Sequence, residues 1–244
     1  MGRDEFKKNL NELNIELNDV QIEAFDEYYR ILVEWNEFMN LTAITEYDEV
    51  LLKHYIDSLA INQSIDDESN WSLNKKIKVI DIGTGAGFPG IPLKIVFDNL
   101  DIVLLDSMNK KVKFLNEVID KLNLSNMKAI HGRAEDYAKD SNYRESFDLC
   151  VSRAVSNLAT LSEYCLPYVK VGGAFISYKS GEIDVELKAS EKAIKMLGGK
   201  IVKVEKMTLP GSTIERSFVI IEKVKNTIGI YPRKSGLPAK DPLK

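Results

Sequence analysis

The sequence predicts an α/β protein. A doubly wound, mostly parallel sheet carries an antiparallel edge hairpin and follows a helical N-terminal extension. Three observations support this. From Ile77 onward, short apolar runs alternate with amphipathic helical stretches, the signature of strand–helix–strand units with right-handed crossovers. The last two runs, KIVKVEKM and ERSFVIIEKV, are joined only by a loop containing LPGST, so they pair as a hairpin. A glycine-rich stretch, VIDIGTGAGFPG at 79–90, directly follows the first apolar run. Open sheets of this kind bind ligands there, beyond the carboxyl ends of their strands.

The elements follow in order. Residues 1–70 read as helical. After Asp19, taken as the N-cap, Phe25, Tyr28, Leu32, Trp35 and Met39 recur every three or four residues, one face of a helix of about five turns. EVLLKHYIDSLAI is a shorter helix and NQSIDDESN a linker. Then come IKVIDI (strand), IPLKIVF (helix), DIVLLD (strand) and NKKVKFLNEVIDKL, a helix with Val112, Leu115, Ile119 and Leu122 on one face. MKAIHG and FDLCVS are strands, LATLSEYCLPYV a helix, GGAFISY a strand and VELKASEKAIKML a helix. The edge hairpin closes the sheet. The expected division is residues 1–70 as an extension packed on the core, 71–224 as the sheet domain and 225–244 as a basic tail.

With 244 residues, 44% of them apolar, the chain can bury a substantial core. No apolar run is long enough to span a bilayer, and the charged start MGRDEFKKNL lacks a signal peptide's apolar centre. The expectation is a soluble cytoplasmic protein. Two cysteines, Cys150 and Cys165, form neither a disulfide framework nor a metal-ligand spacing. The net charge of −4 conceals an asymmetry: 5 basic and 17 acidic residues over 1–70, 22 and 18 over 71–221, and 6 and 2 over 222–244. The basic parts can face a phosphate backbone, although a solvated surface explains the same charge.

The glycines discriminate between ligands. In a dinucleotide frame Gly-x-Gly-x-x-Gly starting at Gly83, Phe88 occupies the third glycine position; starting at Gly85 puts Pro89 inside the turn. The other frame is Asp81-x-Gly83-x-Gly85-x-Gly87. Alternating glycines let the backbone pass close beneath an adenosine and an amino-acid chain. A carboxylate repels pyrophosphate but suits an ammonium and a sulfonium, and therefore S-adenosyl-L-methionine. Pro89 then fits near the first turn of the next helix. Asp106 ends the second strand and can accept hydrogen bonds from ribose hydroxyls, or only cap the following helix. The short acidic turn in GRAED can reach an adenine edge.

Several longer stretches carry a resemblance: NLTAIT at 40–45, HYIDSL at 54–59, DIGTGAGFPGIPLKI at 81–95, LLDSMNKKVKFL at 104–115, HGRAED at 131–136, SRAVSNLATLSEYCLPYVKVGG at 152–173 and the closing YPRKSGLPAKDPLK. From about residue 20 the chain resembles the bacterial small-subunit ribosomal RNA methyltransferase G family, also called glucose-inhibited division protein B. One departure is Ser180, where the family has glycine after the strand-five lysine; Gly181 follows one later. The resemblance implies a Rossmann-like class I methyltransferase sheet. It implies methyl transfer from S-adenosyl-L-methionine to N7 of a guanine in 16S ribosomal RNA, which the family counts as position 527. The expected partner is that RNA within the small ribosomal subunit or its precursor, and the expected state is a monomer. It also implies cofactor contacts at Gly83, Phe88, Ala134, Glu135 and Arg153.

The residues are compatible with that chemistry. Guanine N7 has an in-plane lone pair and no proton, so its attack on a methyl group needs no general base; approach and alignment carry the catalysis. Amine methylation commonly uses an Asn/Asp-Pro-Pro-aromatic turn, but the chain reads VSRAV after strand four. Methylation of a pyrimidine carbon needs a thiolate, and both cysteines fall inside predicted elements. Arg153, at the rim after strand four, is the catalytic candidate by positioning: it can hold the cofactor, guanine O6 or a phosphate, or only pair with Asp148 or Glu163. His54 and His131 are read as structural, and Asn40 as either lining the pocket or capping a turn. Candidate RNA contacts are Lys110 and Lys111, with Lys113 beside them, and Arg233, Lys234 and Lys240 in the tail, which otherwise is a solvated terminus. A dehydrogenase and a non-catalytic RNA-binding protein are the competing readings.

Overall fold

The computed structural model describes residues 1–154 and 156–244; Val155, in the sequence SRAVSN, lies outside them. The N-terminal extension comprises α1 (Arg3–Asn11), α2 (Asp19–Met39), α3 (Tyr47–Val50), a π-helical turn (Leu51–Ile56), α4 (Asp57–Leu59) and a 3-10 turn (Ala60–Ser64). The sheet portion follows as β1 (Lys78–Ile82), α5 (Gly90–Val96), β2 (Asp101–Asp106), α6 (Asn109–Lys121), β3 (Met127–His131), α7 (Ala134–Tyr137), β4 (Phe147–Ser152), α8 (Leu158–Cys165), β5 (Val169–Ser180), α9 (Asp184–Met196), β6 (Gly199–Thr208) and β7 (Glu215–Lys223), and α10 (Leu237–Lys240) lies in the tail.

The seven strands run in the order β3-β2-β1-β4-β5-β7-β6. All neighbours are parallel except β7, which is antiparallel to both β5 and β6. The expected hairpin is therefore present, with its second strand inserted next to β5. Chain order reverses between β1 and β4, which opens a crevice at their carboxyl ends. The period-2 alternation of each strand divides the core. Val79, Leu104, Val151 and Ile176 face the extension, α5 and α6, whereas Ile80, Leu105, Cys150 and Phe175 face α8 and α9.

The extension shares the first of these cores. α2 buries Ile22, Phe25, Tyr28, Ile31 and Leu32, each worth roughly 1.5–3 kcal/mol when fully buried. Its N-cap is Asn18, not Asp19. The Asn18 side chain accepts from Gln21 N–H (2.9 Å) and Gln21 Oε1 accepts from Asn18 N–H (3.0 Å), a reciprocal capping box. The Gln21 amide also donates to the carbonyls of Ile95 and Val96, which closes the end of α5. Asn40 ends α2 in a left-handed conformation (φ 49°), so it caps a turn.

Three further boundaries differ from expectation. The helix read over 49–61 contains the π-helical turn and continues to Ser64, into the expected linker. The helix read over 158–169 stops at Cys165, and a 3-10 turn, Leu166–Tyr168, with Pro167 in its first turn, leads into β5. β5 begins at Val169, before the glycines that read as its start. Among the described residues, no helix is long and apolar enough to cross a membrane.

Candidate active site

The glycine-rich loop leaves β1 and crosses to β2. Gly83 N–H and Thr84 N–H donate to Leu105 O, and Gly85 N–H donates to the Asp106 carboxylate at 2.9 Å. Gly83, Gly85 and Gly87 all have positive φ (72°, 64° and 94°), which side chains rarely adopt. Gly87 is the most constrained. A Cβ there would meet Ile91 Cδ1 at 2.4 Å and Tyr28 Oη at 2.8 Å. Tyr28 in turn donates its hydroxyl to Ala86 O, so α2 fixes the loop from behind.

Two carboxylates organise this turn. Asp81 is fully buried; its Oδ2 accepts from Thr84 Oγ1 (2.7 Å) and Gly90 N–H (2.9 Å), while Oδ1 has no partner among the described residues. Burial pushes the Asp81 carboxyl up to about 7. Asp106 accepts from Gly85 N–H on one oxygen and Met108 N–H on the other, with Lys111 Nζ 3.8 Å away. Its turn-holding role is thus present. Each oxygen keeps a second lone pair available for a hydroxyl donor.

The loop separates two connected clefts. One, about 410 Å³, runs along Gly83, Gly85, Phe88, Lys111 and Arg153. The other, about 320 Å³, is lined by Gly132, Ala134, Glu135, Leu161 and Tyr164. They share Gly83, Asp106, Ser107 and Ala154, and so form one elongated groove. A third cavity of about 900 Å³, between α4, β5 and β7, meets the groove at His54, Arg153 and Ala154.

A family model described as rRNA small subunit methyltransferase G matches residues 21–218. The protein named ribosomal RNA small subunit methyltransferase G from Lachnoclostridium phytofermentans is 50% identical over 238 residues, 98% of this chain and 96% of that protein. The protein of the same name from Lactococcus lactis is 46% identical over an alignment of 246 positions that covers 100% of this chain and 100% of that protein. The chain belongs to the rRNA small subunit methyltransferase G family. Among solved structures, a mutant of MtNAS superposes with a TM-score of 0.55 at 15% identity, over 84% of this chain and 75% of that one. The M. jannaschii TYW2 in complex with AdoMet superposes with a TM-score of 0.50 at 15% identity, over 62% and 71%. These two support the fold.

Within this member of the methyltransferase G family, the sequence candidates Asp81, Gly83, Gly85, Gly87, Phe88, Asp106, Ala134, Glu135 and Arg153 all gather at the groove or directly beneath it. Phe88 is buried, its ring stacked on His54 (4.3 Å between centroids) and 5.1 Å from the Arg153 guanidinium. The cysteines are buried in β4 and at the end of α8, and burial pushes the Cys150 thiol well up, away from the thiolate a nucleophile needs.

Arg153 pairs with neither Asp148 nor Glu163. Its Nη1 donates to Asp57 Oδ2 (3.0 Å) and Lys53 O (3.1 Å), and its Nη2 to His54 Nδ1 (3.1 Å). Asp148 instead receives Lys78 N–H at the far end of the sheet. Because Nδ1 accepts from Arg153, the His54 proton is assigned to Nε2, facing Thr42 Oγ1 at 2.9 Å. Burial, reinforced by the Arg153 charge, holds His54 down at about 3, so it is neutral at any working pH. His131 lies at the surface, bonded to Ser107 O.

The tail is held by side chains of the sheet portion. Arg233 is engaged inside the fold: its Nε and Nη2 form a fork on Glu163, which is fully buried, and its amide donates to the same carboxylate. Gly236 N–H donates to Glu135 Oε1, and Thr160 Oγ1 to Pro238 O. The terminus, read as an RNA-contacting or solvated tail, is folded across α7 and α8. Lys234 and Lys240 remain exposed, as does Lys110, whose Nζ reaches Met39 O; Lys111 lies inside the groove beside Asp106. Asp57 and Arg216, which complete the Arg153 cluster, were not among the sequence candidates. Their only local signal is the i, i+3 spacing of His54 and Asp57 in HYIDSL, which puts both on one helix face.

Proposed function

We propose that the protein transfers the methyl group of S-adenosyl-L-methionine to N7 of a guanine in 16S ribosomal RNA, by direct in-line attack without a general base. One observation carries this reading. The glycine-loop groove opens at Arg153 and Ala154 into a second, larger cavity where a base can enter.

The residues present fit the cofactor. Asp81 Oδ1 is a buried oxygen with no partner among the described residues, suited to a cationic ligand. Gly85 leaves open space above the loop, with only Lys111 Nζ within 4 Å of a notional Cβ. Asp106 is assigned to the ribose, the turn at Ala134 and Glu135 to the adenine edge, and Gly83, Gly85, Gly87 and Phe88 to the amino-acid side. When bound, the cofactor supplies an electrophilic methyl group. The chain supplies placement and a shielded environment. No histidine is available as a base, since both ring nitrogens of His54 are engaged, and N7 requires none. Arg153 is assigned to orienting the cofactor or the guanine at the junction.

In this reading residues 71–224 are the catalytic domain, 1–70 wall one side of the groove and 225–244 strap the other. The enzyme acts as a cytoplasmic monomer on the small subunit or its precursor. Incubation with labelled cofactor and 16S RNA lacking its modifications, followed by mapping of the label, tests it. Label on guanine N7 is the expected result; label on any other atom overturns the mechanism.

A further inference from the structure

The cavity beyond Arg153 carries a charge imbalance, centred on Asp57 and two arginines, of which the methyl-transfer reading uses only Arg153. Asp57, only 4% exposed, is shared by two arginines. Arg216 from β7 donates Nε to Oδ1 (2.8 Å) and Nη2 to Oδ2 (3.2 Å), and Arg153 donates Nη1 to Oδ2 (3.0 Å). Two guanidiniums against one carboxylate leave a unit of positive charge.

The donors are also unsaturated. A guanidinium has five N–H bonds. Arg216 uses two on Asp57 and one on Glu215 O; Arg153 uses one on Asp57, one on Lys53 O and one on His54. Among the described residues, two N–H bonds remain on each. The other cations at this cavity are matched individually: Lys179 lies 2.7 Å from Glu186, and Lys53 is paired with Glu49. The excess is therefore concentrated on the arginine pair. Both side chains are partly open to the cavity, at 19% and 23% exposure.

We propose that Arg153 and Arg216, bridged by the buried Asp57 carboxylate, form a phosphate-binding subsite for the RNA strand that brings the target guanine to the groove. Planar forks with paired free N–H bonds match phosphate oxygens. The shared carboxylate holds both forks in place, so little side-chain entropy is lost on binding. The location next to Ala154 puts the anchored phosphate one cavity away from the methyl position. This inference rests on the RNA methyltransferase reading.

Arg216→Gln is the informative variant, because it leaves a balanced Arg153–Asp57 pair. The affinity of a 16S RNA fragment is measured over a range of salt concentrations, alongside that of S-adenosylhomocysteine and the thermal midpoint. Arg216→Gln is expected to weaken RNA binding about tenfold and to reduce the slope of log affinity against log salt by about 0.7, one phosphate contact on a single strand. S-adenosylhomocysteine binding stays unchanged. Arg216→Lys keeps the slope and recovers only part of the affinity, since it lacks the fork; it carries the comparison if the glutamine variant is unstable. An unchanged slope overturns the proposal. So does a parallel loss of analogue binding, which assigns the pair to the cofactor carboxylate. If wild type binds RNA with this arginine-dependent slope but transfers no methyl group, the subsite stands and the methyltransferase reading falls.

Discussion

Asp81 is the residue on which pH acts. Its ordinary value of 3.8 is raised to about 7 by burial. Because the folded value exceeds the unfolded one, its protonation adds stability below about pH 4, and this increment is lost as pH rises through about 7. Ligand binding has the opposite sign, because a sulfonium favours the ionised carboxylate. The affinity for S-adenosylmethionine relative to neutral-sulfur S-adenosylhomocysteine should therefore rise as pH passes through about 7, then level off. Asp81→Asn should abolish the rise. Equilibrium dialysis of both ligands at several pH values checks this, and a pH-independent ratio in wild type contradicts it. Arg153 makes a separate test. Arg153→Ala leaves Asp57 paired with Arg216, so the fold should persist while turnover falls about a hundredfold from misplaced reactants. Wild-type turnover in a folded Arg153→Ala protein would refute the assignment. Asp81 and Asp106 were legible because each closes an apolar strand. Asp57 and Arg216 were not, because 159 positions separate them and only the fold brings them together.

At the level of elements, the glycine loop depends on α2. Gly87→Ala forces a left-handed residue, at a cost of roughly 1–2 kcal/mol, and also drives a methyl group into Ile91 and Tyr28. Gly85→Ala carries the same backbone cost with only Lys111 nearby. Urea unfolding should therefore show Gly87→Ala to be clearly the less stable of the two. Equal losses would mean that α2 does not brace the loop. The periodic elements were readable: the strands at Lys78–Ile82 and Asp101–Asp106 and the helix at Asn109–Lys121 follow their apolar patterns within a residue or so. Irregular pieces were not. The π-helical turn at Leu51–Ile56 leaves no mark on an apolar pattern read only by spacing, and the four-residue α7 is too short to show a period. The start of β5 was missed because Val169 reads as the end of the preceding apolar helix and Gly172 and Gly173 read as the start of the strand, three residues too late.

For the whole molecule, the charge asymmetry raises the question of which basic residues meet RNA. The sequence offers two candidate sets, Lys110 and Lys111 near the groove and Arg233, Lys234 and Lys240 in the tail. Folding spends Arg233 on Glu163, a partner 70 positions away that local patterning could not reveal. The fork carries the tail over α7 and α8, and these supply Glu135 and Leu161 to the smaller cleft. Arg233→Ala would strand a buried carboxylate, at a cost of about 3 kcal/mol. For a chain of this size that lowers the melting midpoint by roughly 6–12 °C. S-adenosylhomocysteine binding should weaken as α7 loosens, yet the salt dependence of RNA binding should not change. Arg216→Gln should show the reverse: altered salt dependence with analogue binding intact. Calorimetric melting and salt-titrated RNA binding on the two variants separate an anchor from a contact. If Arg233→Ala instead lowers the salt slope and leaves the melting midpoint in place, the tail meets the RNA backbone through Arg233 after all.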